Sequence, residues 1–159
     1  MSFINYNRSA AADYAKRWAL RRNPNYYDFE NIGGDCTNFI SQCIFAGCGI
    51  MNYTRDIGWY YNSLNDRAAA WTSVEQLHRF LTSNKGTGPF GEVTDLQHSE
   101  IGDVIQLSDG KSFYHSCIIT GFVDGSPFVC AHTYDALNKP LKNYYFNNLR
   151  VIHIIGANS

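Results

Sequence analysis

A chain of 159 residues, 45% hydrophobic and 17% charged, falls in the range where one compact domain buries a sizeable core without metal or disulfide support, so a single domain over residues 1–159 is expected. A formal net charge of -1 and a pI near 6.5 give no electrostatic footprint for nucleic acid or for an anionic membrane surface, and neither is expected as a partner. The first twenty residues are interrupted by Asn, Arg, Asp and Lys, so they form neither the apolar run of a signal peptide nor a membrane span.

From Ser9 to Leu20 the apolar residues Ala11, Ala12, Tyr14, Ala15, Trp18 and Ala19 recur at helical spacing, and Asn23, Pro24 and Asn25 end that first helix. An aromatic stretch, Tyr26, Tyr27 and Phe29, leads to Gly33 and Gly34. Asp35 is the expected N-cap of a second helix in which Cys36, Phe39, Ile40, Cys43 and Ile44 repeat at i, i+3, i+4, i+7 and i+8, with Gly47 and Gly49 as its stop. Between Met51 and Ala70 no periodicity is sustained; this is expected to be a loop whose Trp59, Tyr60 and Tyr61 line a substrate groove. Thr72 or Ser73 caps a third helix through Val74, Leu77, Phe80 and Leu81, ended by the segment 83–88.

The remainder consists of short alternating or apolar runs at 103–107, 115–120, 128–131 and 151–155, separated by Gly and Asp turns, which read as antiparallel strands. Helices first and strands afterwards, without βαβ alternation, predict an α+β fold with helices packed on one antiparallel sheet.

Five cysteines, Cys36, Cys43, Cys48, Cys117 and Cys130, are an odd number without CxxC spacing, which favours reduced thiols over a disulfide framework or a zinc knuckle. Cys36 stands in the first turn of its helix, where unpaired backbone N–H groups and the helix dipole favour a thiolate and can also hold the oxyanion of an attacked amide. The alternative for Cys36 is a small buried hydrophobe, the usual state of a free cysteine. Cys43 lies in the apolar stripe of the same helix, and Cys117 and Cys130 lie in strands, so all three are expected in the core.

His115 opens a strand at the end of which an imidazole can reach a helix N-terminus, as a general base must. His132 closes the next strand and is a candidate for the group that orients the base, with Asp135 as the alternative. His78, His98 and His153 are expected to be structural or surface residues. A metal site built from His115, His132 and a cysteine lacks the paired spacing of zinc ligands, so no metal and no cofactor is expected.

The segment Gly33-Gly34-Asp35-Cys36-Thr37-Asn38-Phe39-Ile40-Ser41-Gln42-Cys43 resembles the signature of the "putative amidase domain" family of bacterial cysteine hydrolases. That family is a branch of the papain-like superfamily, which includes NlpC-type and CHAP peptidoglycan hydrolases. The resemblance extends in the family's order through Asn5-Tyr6-Asn7-Arg8, Trp59-Tyr60-Tyr61, Trp71-Thr72, Gly102-Asp103-Val104, His115-Ser116 and His132-Thr133. It implies a papain-like fold with N-terminal helices packed on a C-terminal antiparallel sheet, Cys36 as nucleophile and His115 as base, with His132 as the third polar residue.

The implied substrate is an amide bond of peptidoglycan, either between muramic acid and alanine or within the stem peptide, cleaved by a monomer without a cofactor. Asp35, Trp59, Tyr60, Tyr61 and Trp71 are the candidate substrate-binding residues. A cysteine protease or deamidase acting on a protein target uses the same pair of groups, and a non-catalytic wall-binding module keeps the aromatic surface without needing them. Without an export signal, access to the wall is expected as a phage-type lysin, as a domain excised from a larger exported protein, or as a delivered effector.

Overall fold

The computed structural model describes residues 1–159. Four helices, α1 (Arg8–Trp18), α2 (Cys36–Cys48), α3 (Ala69–Thr72) and α4 (Val74–Ser83), accompany nine strands. These are β1 (Phe3–Ile4), β2 (Tyr61–Ser63), β3 (Asp66–Arg67), β4 (Gly88–Thr94), β5 (Val104–Ser108), β6 (Phe113–Val123), β7 (Ser126–Ala131), β8 (Ala136–Pro140) and β9 (Asn148–Asn158).

The helix starts follow local chemistry. The side chain of Asn7 accepts the N–H of Ala10 and so caps α1, whose last turn carries Lys16 and Arg17 where cations complement the helix dipole. Ser73 caps α4 by accepting the N–H of Gln76. Gly49 closes α2 with φ 72° and an N–H bond to the carbonyl of Phe45, a left-handed ending open to glycine at little cost. α2 is buried along most of its circumference, from Cys36 to Ile44 and again at Gly47 and Cys48, which makes it the central helix and not a surface one.

Seven strands form one antiparallel sheet in the order β4-β9-β5-β6-β7-β8, with β1 paired to the end of β9; β2 and β3 form a separate hairpin. One face of the sheet carries Val104, Ile118, Cys130 and Ile152 against Phe39, Ile40 and Ile44 of α2, together with Trp59 and Trp71. The other face carries Ile105, Leu107, Cys117, Ile119 and Val129, covered by Leu141, Tyr144 and Phe146 of the segment after β8. β5 is therefore buried along its whole length. In register, Ser116 lies opposite Gln106 and His115 opposite Leu107. That pairing fixes the register in which β6 starts.

The architecture is α+β with a large antiparallel sheet and a few helices, and the helices and strands read from periodicity lie where the spacing predicts them. The sheet is not wholly C-terminal, because β1 precedes every helix. The segment 51–70, expected as a loop, contains the β2–β3 hairpin. β4 lies in a Gly- and Pro-bearing stretch, which it can do because it borders the sheet and pairs only with β9, so the missing N–H of Pro89 disrupts no inner ladder. All five cysteines are free and buried. No helix is long and apolar enough to cross a membrane.

Candidate active site at the start of the second helix

Gly33 and Gly34, at φ 83° and 97°, turn the chain into Asp35 through conformations that side chains disfavour. Cys36 is then the first residue of α2 and is 7% exposed. Its Sγ lies 3.7 Å from the Thr37 hydroxyl. Burial pushes the thiol pKa up, while the Ser116 backbone N–H, the Thr37 hydroxyl and the Thr37 N–H pull it back part of the way. A line of hydroxyls holds the helix start to the sheet: Thr37 Oγ1 is 3.0 Å from Ser116 Oγ, which accepts the amide of Gln106 at 3.1 Å.

The contact between Thr37 and Ser116 ties the residue after Cys36 to the residue after His115, so the two candidates sit on adjoining backbone segments. The His115 ring makes no hydrogen bond to any protein group, that of Cys36 included. It packs between the rings of Tyr114 and Tyr144, at centroid distances of 6.2 and 6.0 Å, and faces a cleft of about 450 Å³. Burial, and after it the charge of Lys139, push its pKa down to about 4. At neutral pH it is an uncharged imidazole, able to take a proton.

His132 has different company. Nδ1 lies 2.5 Å from the Asp35 carboxylate and Nε2 lies 2.7 Å from the carbonyl of Trp18, while the ring stacks on Phe39 at 3.9 Å. A carbonyl only accepts, so Nε2 carries a proton and gives the Trp18 carbonyl at the end of α1 a second donor beside the Arg21 N–H. The structure thus brings His132 to Asp35 and not into a hydrogen bond with His115. Asp135, the alternative partner, forms a bidentate pair with Arg22 at 2.9 and 3.1 Å and likewise makes no bond to His115.

Asp35 caps nothing with its side chain, although it holds the N-cap position. It is 1% exposed, and its carboxylate accepts from the Phe29 N–H at 2.8 Å and the Asn38 amide at 2.9 Å besides meeting His132. With every direction occupied it offers no face to substrate. The same correction applies to Trp59 and Trp71, which are fully buried, their indole N–H groups donating to Ser41 at 3.0 Å and Asn38 at 2.9 Å. Both donors find acceptors on α2, which is why two tryptophans from an aperiodic segment belong to the core. Tyr61 packs on Tyr26 and Trp71 and accepts the N–H of Tyr27, and Tyr60 packs on Tyr53; neither lines the cleft beside His115.

The aromatic wall of that cleft comes from Tyr114, Tyr134, Tyr144 and Tyr145, none of them singled out in the sequence, although Asn143-Tyr144-Tyr145-Phe146 is itself a dense aromatic run. Thr133, Lys139 and Asn143 add polar groups. Cys43, Cys117 and Cys130 are fully buried, and for each of the three burial pushes the thiol pKa up. His78 pairs with Glu75, His98 with Asp95 and His153 with Asp103, all away from this corner.

An α+β scaffold thus carries a buried thiol at a helix start and, on the strand tied to that start, an uncharged imidazole that opens on a cleft. The chain belongs to the family described as "Putative amidase domain", which it matches over residues 5–155, and that description points to hydrolysis of amide bonds. It is similar to two proteins of Bacillus subtilis (strain 168). One is the uncharacterized protein YhbB, 33% identical over 82% of this chain and 42% of YhbB; the other is the uncharacterized protein YjcM, 26% identical over 85% of this chain and 32% of YjcM. The chain therefore spans less than half the length of these relatives. No solved structure matches.

Proposed function

We propose that this chain is a papain-like cysteine hydrolase that cleaves an amide bond of bacterial peptidoglycan, with Cys36 as nucleophile and His115 as general base. The observation that supports the reading is the hydroxyl contact of Thr37 with Ser116, which ties the residue after Cys36 to the residue after His115, whose imidazole is free of other bonds. In the resting site both groups are uncharged. His115 takes the thiol proton as sulfur attacks the carbonyl carbon, forming the C–S bond and an oxyanion.

The backbone N–H of Cys36 has no acceptor in the chain and is available to that oxyanion. Protonated His115 then gives its proton to the leaving amine as the C–N bond breaks, and water, deprotonated by the same ring, releases the thioester as a carboxylic acid. His132 acts on this chemistry at one remove, by holding Asp35 and hence the backbone from which Cys36 projects. A protein amide is the second substrate this site accepts on the same chemistry.

The test is mass spectrometry of purified peptidoglycan after incubation with the wild type and with Cys36→Ala. New fragments from the wild type alone support the reading and identify the bond; equal fragments from both sink the cysteine mechanism, and none from either directs the search to another amide.

A further inference from the structure

The cleft beside His115 is lined by groups that the cleavage chemistry does not use. Lys139, on β8, is the one fixed cation among them, and no Asp or Glu lines the cleft. The Lys139 ammonium sits 4.0 Å above the Tyr144 ring, is half-buried, and forms neither an ion pair nor a hydrogen bond with any group of the chain. An ammonium with three free donors and only an aromatic face for company gains from an anion. Its charge is felt at His115, which places it within electrostatic reach of the reacting groups.

The surrounding wall suits an extended, partly apolar ligand. Tyr134 is 93% exposed and Tyr145 is 96% exposed. The turn that presents Tyr134 is strained, with Thr133 and Tyr134 both left-handed at φ 58° and 60°. Thr133 Oγ1 also accepts the N–H of Asp35 at 3.0 Å, so this turn is fastened directly to the nucleophile's helix. Asn143 provides an amide for peptide groups.

We infer that this cleft recognises a peptide segment bearing a free carboxylate close to the scissile amide, with Lys139 as its ionic anchor; the inference rests on the hydrolase reading and names the substrate class. Substrates whose carboxylate is present as the amide are then bound poorly. Recognition by a single charge-assisted contact corresponds to a preference of about tenfold.

The experiment is calorimetric titration of the Cys36→Ala protein with a muropeptide stem peptide carrying free carboxylates and with the same peptide fully amidated, while wild-type turnover of both is followed in parallel. The expected result is about tenfold tighter binding of the free acid, lost in Cys36→Ala/Lys139→Gln and kept in Cys36→Ala/Lys139→Arg. Equal affinity for acid and amide, discrimination that survives Lys139→Gln, or no binding of either peptide overturns the inference. Discriminating binding without wild-type turnover retains the anchor and removes cleavage within the stem peptide; turnover without discrimination removes the anchor and retains the hydrolase reading.

Discussion

Two histidines stand close to the start of α2, one opening β6 and one just beyond β7, and their surroundings differ in nearly every respect. Both rings of this pair are buried, yet His132 has each nitrogen bonded and its face stacked on Phe39, whereas His115 bonds to nothing and borders a cleft. A ring with both nitrogens committed cannot exchange a proton without breaking part of the fold. A ring with neither committed can do so freely, at the cost of having been desolvated without compensation. The comparison separates a histidine whose ring is fully committed to the fold from one whose ring is free to exchange a proton, which burial alone does not do.

Mutation can break this contrast. The largest effect is expected at the reacting pair: Cys36→Ala and His115→Ala lower turnover by about a thousandfold or more, with thermal unfolding close to wild type, because neither side chain holds a strong bond. Rate measurements beside a melting curve check this. His132→Ala is expected to act the other way. Removing a partner from a buried carboxylate costs about 3 kcal/mol, which lowers the melting temperature by roughly 10 °C, and the activity lost per folded molecule stays well below that of His115→Ala. A His132→Ala protein that melts normally yet loses turnover like His115→Ala would erase the distinction.

The pH dependence sharpens the same contrast. His115 titrates at about 4 instead of its ordinary 6.5, so the acid limb of kcat/KM is expected near pH 4 to 5, and a limb at 6.5 would mean that another group is the base. Stability carries the same sign. Between pH 6.5 and 4 the unfolded chain binds a proton at His115 that the folded chain refuses, so this group's contribution is present above 6.5 and is lost as pH falls through that window. Urea midpoints at pH 7.5 and 4.5 for wild type and His115→Ala measure it, the mutant declining less. The smallest effect is expected at Asp135→Ala, which removes one partly exposed ion pair from an Arg22 that keeps Asp28 and Glu30, for under about 1 kcal/mol and no change in rate.

Much of the scaffold was legible from periodicity and punctuation. The i, i+3, i+4 run from Cys36 to Ile44 after two glycines locates α2 and puts the thiol at its first position, and the apolar run after His115 locates β6. What stayed hidden depends on contacts far along the chain. Nothing local distinguishes a strand-end histidine bonded to Asp35 from one that orients another histidine, because the partner is 97 residues away. Trp59 and Trp71 resemble a binding surface until Ser41 and Asn38 are known to face their indoles. β8 was missed because Ala-Leu-Asn-Lys-Pro has no alternation and bends at Asn138, φ 51°, and with it went Lys139 and the wall of the cleft.

The hydroxyl contact between Thr37 and Ser116 spans 79 residues of chain. Helices form in about a microsecond, whereas the strand pairing that delivers Ser116 is slow because it must close so long a loop. A chain in which that pairing has not yet formed leaves the thiol with neither β6 nor His115 near it. In that state it is an ordinary cysteine, open to alkylation and oxidation. The surroundings of the thiol are complete only when β6 has docked.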